Sequence, residues 1–175
     1  MELTTRDERE AIGVPEGFDA FFHAHVASVA RAAALVTGDA SAGQDLAQEA
    51  FIRLLARWDA MRSSDHARNF VFKVAINLAR SHRRKHLRAV PSGLHHADRL
   101  PAVVAAGEEW WQVADALAAL SPRQRACVVL VDYVGLDSEA VARVLSINSA
   151  TVRVHVMRGR DALRARLGME DHDEA

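Results

Sequence analysis

The sequence predicts an all-α protein: two small helical domains joined by a flexible linker, the second a helix-turn-helix domain. Apolar residues recur every three or four positions over most of the 175 residues, and no strand-like alternation of useful length occurs. Only 4 prolines interrupt a chain rich in alanine, leucine and arginine, which favour helices. The periodicity stops between residues 89 and 107, where prolines and glycines cluster. We divide the chain into a mobile leader (1–16), an N-terminal domain (17–88), a linker (89–107), a C-terminal domain (108–168) and an acidic tail (169–175).

Three helices are predicted in the N-terminal domain. The first begins at Phe18 and ends at the Gly38–Asp39 pair, because glycine readily adopts the backbone conformation that terminates a helix. Ser41 is placed to cap the second helix, whose apolar face includes Phe51. After a short polar break at residues 61–65, the third helix runs from about His66 to Arg88.

Four further helices are predicted in the C-terminal domain, the first starting at Glu108. The segment Ser121-Pro-Arg-Gln124 is a strong helix start, with a capping serine, a proline in the first turn and a glutamine at the capping-box position. That helix is expected to run to Val134 and to end at Gly135. Asp137 can cap a short helix through Leu145, and after a turn at residues 146–148 Ser149 can cap the last helix.

The formal net charge of −1 conceals two basic segments. Residues 62–90 contain eight basic residues and one acidic residue, and residues 150–168 contain five basic residues and one acidic residue. The tail at 169–175 contains four acidic residues and no basic one. Local potential, rather than total charge, attracts a polyanion, so this composition is compatible with a nucleic-acid partner.

The sequence also disfavours an internal disulfide, secretion and membrane insertion. The single cysteine, Cys127, cannot form an internal disulfide and lies in an apolar run typical of a core residue. The charged N-terminus lacks the apolar segment of a signal peptide. No apolar run approaches the roughly 20 residues that cross a bilayer, so we expect a cytoplasmic protein with no membrane insertion.

Metal binding and catalysis are not expected either. Among nine histidines, His82 and His86 share a helix face, but the surrounding positive charge disfavours a metal cation. No nucleophile–base pair and no phosphate-binding glycine loop occurs in the sequence. We therefore predict no metal, no cofactor, no small-molecule substrate and no enzymatic activity.

The most specific local pattern is the helix-turn-helix at residues 137–160. Val152 and Val156 are spaced to anchor its second helix to the core, while the opposite face carries polar and basic residues. Arginine can donate two hydrogen bonds to guanine in the major groove, which contributes about 1–3 kcal/mol of discrimination. The candidate duplex-binding residues are Ser149, Thr151, Arg153, Val154, His155 and Arg158.

A second basic track lies in the third helix, where residues 80–88 contain five basic residues and no acidic one. Such runs are often only solvated helix ends. Here Phe70, Phe72 and Asn77 precede the run, and an aromatic surface and an amide beside basic groups suit single-stranded bases. Phe70 has the alternative of being a core residue.

Three segments together resemble the small bacterial sigma factors of the extracytoplasmic-function type. They are DLAQEAFIRL at 45–54, ARNFVFKVAINLAR at 67–80, and the helix-turn-helix region that begins with LSPRQR at 120 and ends with TVRVHVMRGRDAL at 163. The resemblance covers residues 18–88 and 110–167. It implies a transcription initiation subunit that binds core RNA polymerase and directs it to promoters.

The resemblance also implies which residues contact which partner. Asp45, Gln48 and Glu49 would bind the clamp coiled coil of core polymerase, and the C-terminal domain would touch the polymerase flap. The 61–66 loop and Asn77 would hold a flipped base of the minus-10 element. The full minus-10 set is Arg62, Ser63, Phe70, Asn77, Arg80, Arg83 and Arg84, and the duplex-binding set above would recognise the minus-35 element. An anti-sigma factor is a further expected partner.

The sequence departs from the family pattern on the recognition helix. Val154 and His155 replace a common Ser-Arg pair, so the preferred promoter cannot be inferred from relatives. Phe70 replaces a tryptophan, Asp137 replaces a capping serine, and Ala140 replaces a glutamate. Two alternatives to a sigma factor are a stand-alone helix-turn-helix regulator with an N-terminal sensor or dimerisation domain, and a helical adaptor without DNA binding.

Overall fold

The computed structural model describes residues 15–89 and 108–168, with side chains described for 15–85 and 112–168. Every regular element in these ranges is helical, and the linker at 90–107, the leader up to residue 14 and the tail from 169 lie outside them. The N-terminal half contains α1 (Phe18–Thr37), α2 (Ala40–Leu55), a 3₁₀ turn (Trp58–Ala60) and α3 (Ser64–Ala89). The C-terminal half contains α4 (Glu108–Ala118), α5 (Pro122–Val128), a π turn (Val129–Tyr133), α6 (Ser138–Leu145) and α7 (Ser149–Leu167).

Several predicted helix ends are confirmed. Gly38 closes α1 in the left-handed conformation (φ 79°), and its amide donates to the carbonyl of Ala34. Ser121 and Gln124 form the reciprocal capping box at the start of α5. The Asp137 carboxylate accepts hydrogen bonds from the first amides of α6, at 2.9 and 2.7 Å.

Two predicted caps are wrong by one or two positions. Asp39, not Ser41, caps α2, because its carboxylate accepts from the amide of Ala42 at 3.0 Å. Asn148, not Ser149, caps α7 by accepting from the amide of Thr151 at 2.7 Å. Each helix therefore begins earlier than the capping serine would require, and both serines lie inside the first turn.

The predicted α5 differs in its second half, where a π turn replaces the last α-helical turns. The amide of Val134 bonds to the carbonyl of Val129, five residues back, at 3.0 Å. This wider turn buries Val129 and Leu130 and leaves Tyr133 40% exposed. Helix α3 also begins at Ser64, two residues before the prediction, with the Ser63 hydroxyl accepting from the amide of His66.

The tightest packing in the N-terminal half is between α1 and α2. Both helices present alanines to each other, and Ala30, Ala33, Ala47 and Ala50 have no exposed surface. At Gly43 even a methyl group would not fit, since a Cβ there would lie 2.7 Å from the Ala30 carbonyl oxygen. Phe18, Phe21, Phe51 and Trp58 close one end of this pair in edge-to-face and tilted ring contacts.

By length and composition alone α1 could cross a membrane, contrary to the sequence expectation. Its mean hydropathy is 1.2 over the best window, and half of that window is buried inside the protein. No other helix in the described ranges passes the same test. Apolar residues of α1 pack against α2 and α3, as those of a core helix do.

The two halves pack against each other and share one apolar cluster, which extends from Phe18 in α1 to Val156 in α7. Arg125 of α5 is fully buried and joins the halves: it donates to the carbonyl of Val36 at the end of α1 and to that of Ala118 at the end of α4. Both carbonyls lie at helix C-termini, where the helix dipole favours a cation. Arg68 of α3 similarly donates to the carbonyl of Val134.

Cys127 is a core residue, as its apolar surroundings predict, with no exposed surface. Burial raises the pKa of its thiol to about 11 from 9.0, against the opposing attraction of Arg80 and Arg123. At pH 8 the folded thiol should therefore contain about a hundredth of the thiolate of an exposed cysteine.

We expect iodoacetamide to alkylate Cys127 at least about a hundredfold more slowly in the native protein than in urea at pH 8. Mass spectrometry of timed samples measures both rates. Equal rates would show that the thiol is accessible and would contradict its placement in the core.

Candidate nucleic-acid and protein interfaces

One exposed stripe lies along α2 and carries both acidic and apolar side chains. Asp45, Gln48, Ile52 and Leu55 follow each other at spacings of three and four, so they lie on one face of the helix. Ile52 is 61% exposed and Leu55 is 37% exposed. Glu49 flanks the stripe and pairs with Arg53 at 2.8 Å. We call Asp45, Gln48, Glu49, Ile52 and Leu55 the α2 stripe; exposed apolar groups rimmed by polar ones are typical of a protein-binding surface.

A first cavity, of about 430 Å³, opens beside the loop that precedes α3. Arg62 and Ser63 line it, together with the aromatic rings of Phe21 and Trp58. The Trp58 indole nitrogen donates to the carbonyl of Glu16, which fixes the ring. Burial and the nearby Arg68 lower the pKa of His25, another lining residue, which favours the neutral form of its imidazole. An aromatic, neutral wall next to an arginine can hold a base and its phosphate.

A second cavity, of about 370 Å³, lies between the end of α2 and the middle of α3. Phe70 and Asn77 line it, and Asn77 is exposed. Basic side chains surround the phenyl ring, and the Arg57 guanidinium lies 5.7 Å from the Phe70 ring centroid. Among the described residues the lining contains no acidic side chain; the basic ones are Arg53, Arg57 and Lys73.

A third cavity, of about 440 Å³, lies between the two halves of the protein. Arg80, Arg83 and Arg84 of α3 line one wall, and Arg123 of α5 and His155 of α7 line the other. Arg83 also donates to the carbonyl of Thr37, the last residue of α1, at 3.1 Å. Burial is the main cause that lowers the pKa of both Arg80 and Arg83 below that of a free arginine.

The seven predicted minus-10 residues are therefore distributed over three cavities rather than gathered in one. Arg62 and Ser63 line the first, Phe70 and Asn77 the second, and the three arginines of α3 the third. In particular, the 61–66 loop and Asn77 do not share a cavity. Phe72, the other aromatic in the segment, is 2% exposed and belongs to the core.

The recognition helix α7 is held as the sequence predicts, by Val152 and Val156, which are 0% and 6% exposed. Gly159 lets α7 approach α5 closely, because a Cβ there would lie 2.6 Å from a methyl group of Val128. Arg153, Val154 and Arg158 are exposed, whereas Thr151 and His155 are half-buried. Ser149, in the first turn, is half-buried as well.

Two other arginines of α7 form ion pairs with carboxylates. Arg160 forms a two-point pair with Asp132 of the π turn, and this hydrogen bonding raises its pKa above the ordinary value. Arg164 pairs with Asp161 at 3.4 Å. Within the described residues, Arg153 and Arg158 are the exposed basic groups before the last turn of α7 that form no ion pair.

Sequence reasoning missed some functional candidates. Ile52 and Leu55 stand out only because the structure leaves them exposed, although their spacing from Asp45 was visible in the sequence. Arg57 and Lys73 lie beside Phe70 because α2 and α3 converge there, which no local pattern shows.

The fold and these surfaces define a class: a two-domain helical protein with a helix-turn-helix, basic clefts and an exposed stripe of apolar and acidic side chains. Sequence comparison agrees, since the sigma-70 region 2 family matches residues 21–89 and the sigma-70 region 4 family matches residues 110–163. The chain belongs to the sigma-70 family, among the extracytoplasmic-function (ECF) sigma factors, which direct RNA polymerase to promoters.

Individual relatives have low sequence identity to this chain, but the similarity extends over most of its length. The ECF RNA polymerase sigma factor SigE of Mycolicibacterium smegmatis is 27% identical over 90% of this chain, which spans 64% of the relative's length. The RNA polymerase sigma-E factor of Streptomyces avermitilis is also 27% identical, over 89% of this chain and 88% of the relative.

Two solved structures share the fold. The sigma factor RpoE from Bartonella quintana, crystallised with the anti-sigma factor NepR, superposes with a TM-score of 0.73 at 21% identity, over 89% of this chain and 99% of that one. CnrH, in complex with the cytosolic domain of CnrY, superposes with a TM-score of 0.65 at 22% identity, over 94% of this chain and 96% of that one.

Proposed function

We propose that this chain binds core RNA polymerase through the α2 stripe and recognises promoter DNA through separate surfaces of its two domains. The observation that supports the proposal is the α2 stripe itself, because exposed isoleucine and leucine beside carboxylates are typical of a surface that binds another protein. The stripe would dock on the clamp coiled coil, with Asp45, Gln48 and Glu49 as polar contacts. The C-terminal domain would touch the polymerase flap.

For the minus-10 element we propose two base-binding sites along the N-terminal domain. The first cavity, with Arg62 and Ser63, would hold a base extruded from the stack against Phe21 and Trp58. The second, with Phe70 and Asn77, would stack a neighbouring base and contact its edge. Stacking of a base on an aromatic side chain contributes about 1–3 kcal/mol. Arg80, Arg83 and Arg84 would follow the strand backbone.

For the minus-35 element we propose that α7 enters the major groove. Arg153 and Arg158 would contact bases or phosphates, Val154 would meet a thymine methyl group, and the amide end at Ser149 would contact a phosphate. Thr151 and His155 complete this set. Because His155 faces α3 across the third cavity, the two domains must separate before the whole set can contact duplex DNA.

The proposed function also bears on catalysis, cellular location, the linker and regulation. The polymerase would supply the chemistry of RNA synthesis, so this chain would act without catalysis or cofactor, in the cytoplasm. The domain boundaries proposed from sequence assign residues 89–107 to the linker that would thread toward the RNA exit path. An anti-sigma factor that covers the α2 stripe and the basic cavities is a further proposed partner.

The direct test is binding of the purified full chain to core polymerase. Replacing Ile52 with aspartate should weaken binding at least tenfold, because the charge would lie within the apolar part of the interface. The matched control is Val113→Asp on α4, where a valine that is 41% exposed takes the same charge. Fluorescence anisotropy of the labelled chain measures both affinities.

Retention of core binding after Ile52→Asp, and also after charge reversal of Asp45 and Glu49, would reject the polymerase-binding role. Tight binding of the free chain to symmetric duplex sites would then favour the stand-alone regulator. Binding to neither core polymerase nor DNA would leave the helical adaptor.

Promoter recognition is tested at Arg153. We expect Arg153→Ala to weaken binding of the polymerase complex to a minus-35 duplex by about 1–3 kcal/mol and to relax discrimination at one base pair. The exposed Arg143 of α6 provides the control variant, Arg143→Ala. Equal losses for the two variants on every sequence would mean that Arg153 contributes only general charge.

A further inference from the structure

The cavity between the two domains has the composition of an anion site. Its volume of about 440 Å³ lies within the range of small-molecule pockets. Five of its eight lining residues are arginine or histidine, and among the described residues none is acidic. The remaining lining residues are Val36, Ser121 and Pro122.

Several of these cations lack a counter-charge in the structure. Arg83 donates to the carbonyl of Thr37 at the end of α1, and the neighbouring Arg125 donates to that of Val36. Among the side chains described, at residues 15–85 and 112–168, no ion pair involves Arg80, Arg84 or Arg123. Burial, and after it the like charges of Arg84 and Arg123, lower the pKa of Arg80, and Arg123 lies across the domain boundary from the α3 arginines.

Two buried nitrogen atoms without hydrogen-bond partners also lie at this boundary. The Nδ1 atom of His155 is buried and has no hydrogen-bond partner, and the Nε atom of Arg83 is in the same condition. Buried polar groups without partners are costly and call for an explanation such as an absent ligand. Both side chains line the cavity.

We propose that this cavity binds a small polyphosphate, either inorganic triphosphate or the triphosphate group of a nucleotide, between the two domains. A polyphosphate concentrates several negative charges in a small volume, which matches the arginines arriving from α3 and α5 beside a histidine of α7. Val36 and Pro122 provide an apolar wall against which a nucleobase could rest.

Such a ligand would hold the two domains together. It would occupy Arg80, Arg84 and His155, which the proposed function assigns to promoter DNA, so bound polyphosphate would oppose opening of the protein. This regulatory consequence rests on the proposed function, whereas binding of the anion does not.

The experiment is isothermal titration calorimetry of the full chain with sodium triphosphate in low salt without divalent cations. The decisive variant is Arg123→Glu, because Arg123 is exposed at the start of α5 and belongs to neither proposed DNA-binding set. A glutamate there would remove one cation and offer Arg80 a carboxylate. We expect binding at least tenfold weaker than wild type, together with a raised melting temperature in the absence of ligand.

The matched control is Arg143→Glu on α6, which makes the same change in net charge away from the cavity. It should bind triphosphate as the wild type does. ATP titrated in parallel shows whether the ligand is inorganic triphosphate or a nucleotide. Equal affinities mean that the protein contacts the phosphates alone. Tighter binding of ATP means that the apolar wall also contacts the base.

Absence of binding by both triphosphate and ATP would overturn the proposal. Equal weakening by Arg123→Glu and Arg143→Glu would also overturn it, because binding would then reflect general charge. Binding of core polymerase by the same preparation is a separate measurement, so failure here leaves the polymerase-binding role intact.

Discussion

Replacing Gly43 with leucine should lower the free energy of unfolding by about 3 kcal/mol or more. A Cβ at this position would lie 2.7 Å from the carbonyl oxygen of Ala30 and from the backbone nitrogen and Cβ of Ala34. Backbone atoms of α1 cannot move aside as a flexible side chain can, so the helices would have to separate. Urea denaturation followed by circular dichroism measures the loss.

The control for Gly43 is Gln44→Leu, which adds a leucine one position along α2 at a half-exposed site. That variant should retain nearly the full stability of the wild type. If both variants unfold at the same urea concentration, the close approach of α1 and α2 is not what restricts position 43.

Replacing Arg125 with alanine should have the second-largest effect, about 3 kcal/mol. The guanidinium is fully buried, and its removal leaves the carbonyls of Val36 and Ala118 without that donor. A hydrogen bond involving a charged group contributes about 1.5–3 kcal/mol, and an unsatisfied buried acceptor adds its own cost. Thermal denaturation of the full chain measures the change.

Methionine at the same position separates packing from charge. Burial and the neighbouring Arg83 lower the pKa of Arg125 to about 9, which shows that the cation is held at a desolvation cost. Arg125→Met keeps most of the volume and removes that cost, so it should lose less stability than Arg125→Ala. An alanine variant as stable as the wild type would contradict a bridging role for Arg125.

Much of the fold was predictable because its signals are local. The capping box at Ser121 and the carboxylate at Asp137 satisfy amides within three residues of themselves, so sequence alone specifies them. The caps of α2 and α7 were assigned to the wrong residue because two capping residues lie close together in each case. The choice between Asp39 and Ser41 depends on where the first helical turn begins.

The π turn and the distribution of the site residues required tertiary information. The wider turn at residues 129–133 changes which side chains face the rest of the protein. The spacing of apolar residues in the sequence does not reveal this change. Asn77 and Arg80 are three residues apart on α3, yet they line different cavities, because different elements pack on either side of the helix. The approach of His155 to α3 is a contact between residues far apart in the chain, and it depends on how the two domains meet.

The single apolar cluster that runs through both halves has a thermodynamic consequence. While the halves share that cluster, neither can melt without exposing part of the other, so heat should unfold the closed chain in one cooperative transition. Any ligand selective for the closed form adds its binding free energy to both halves at once. Separation of the domains would divide this cooperative unit in two, and the heat capacity curve would then report whether the protein is closed or open.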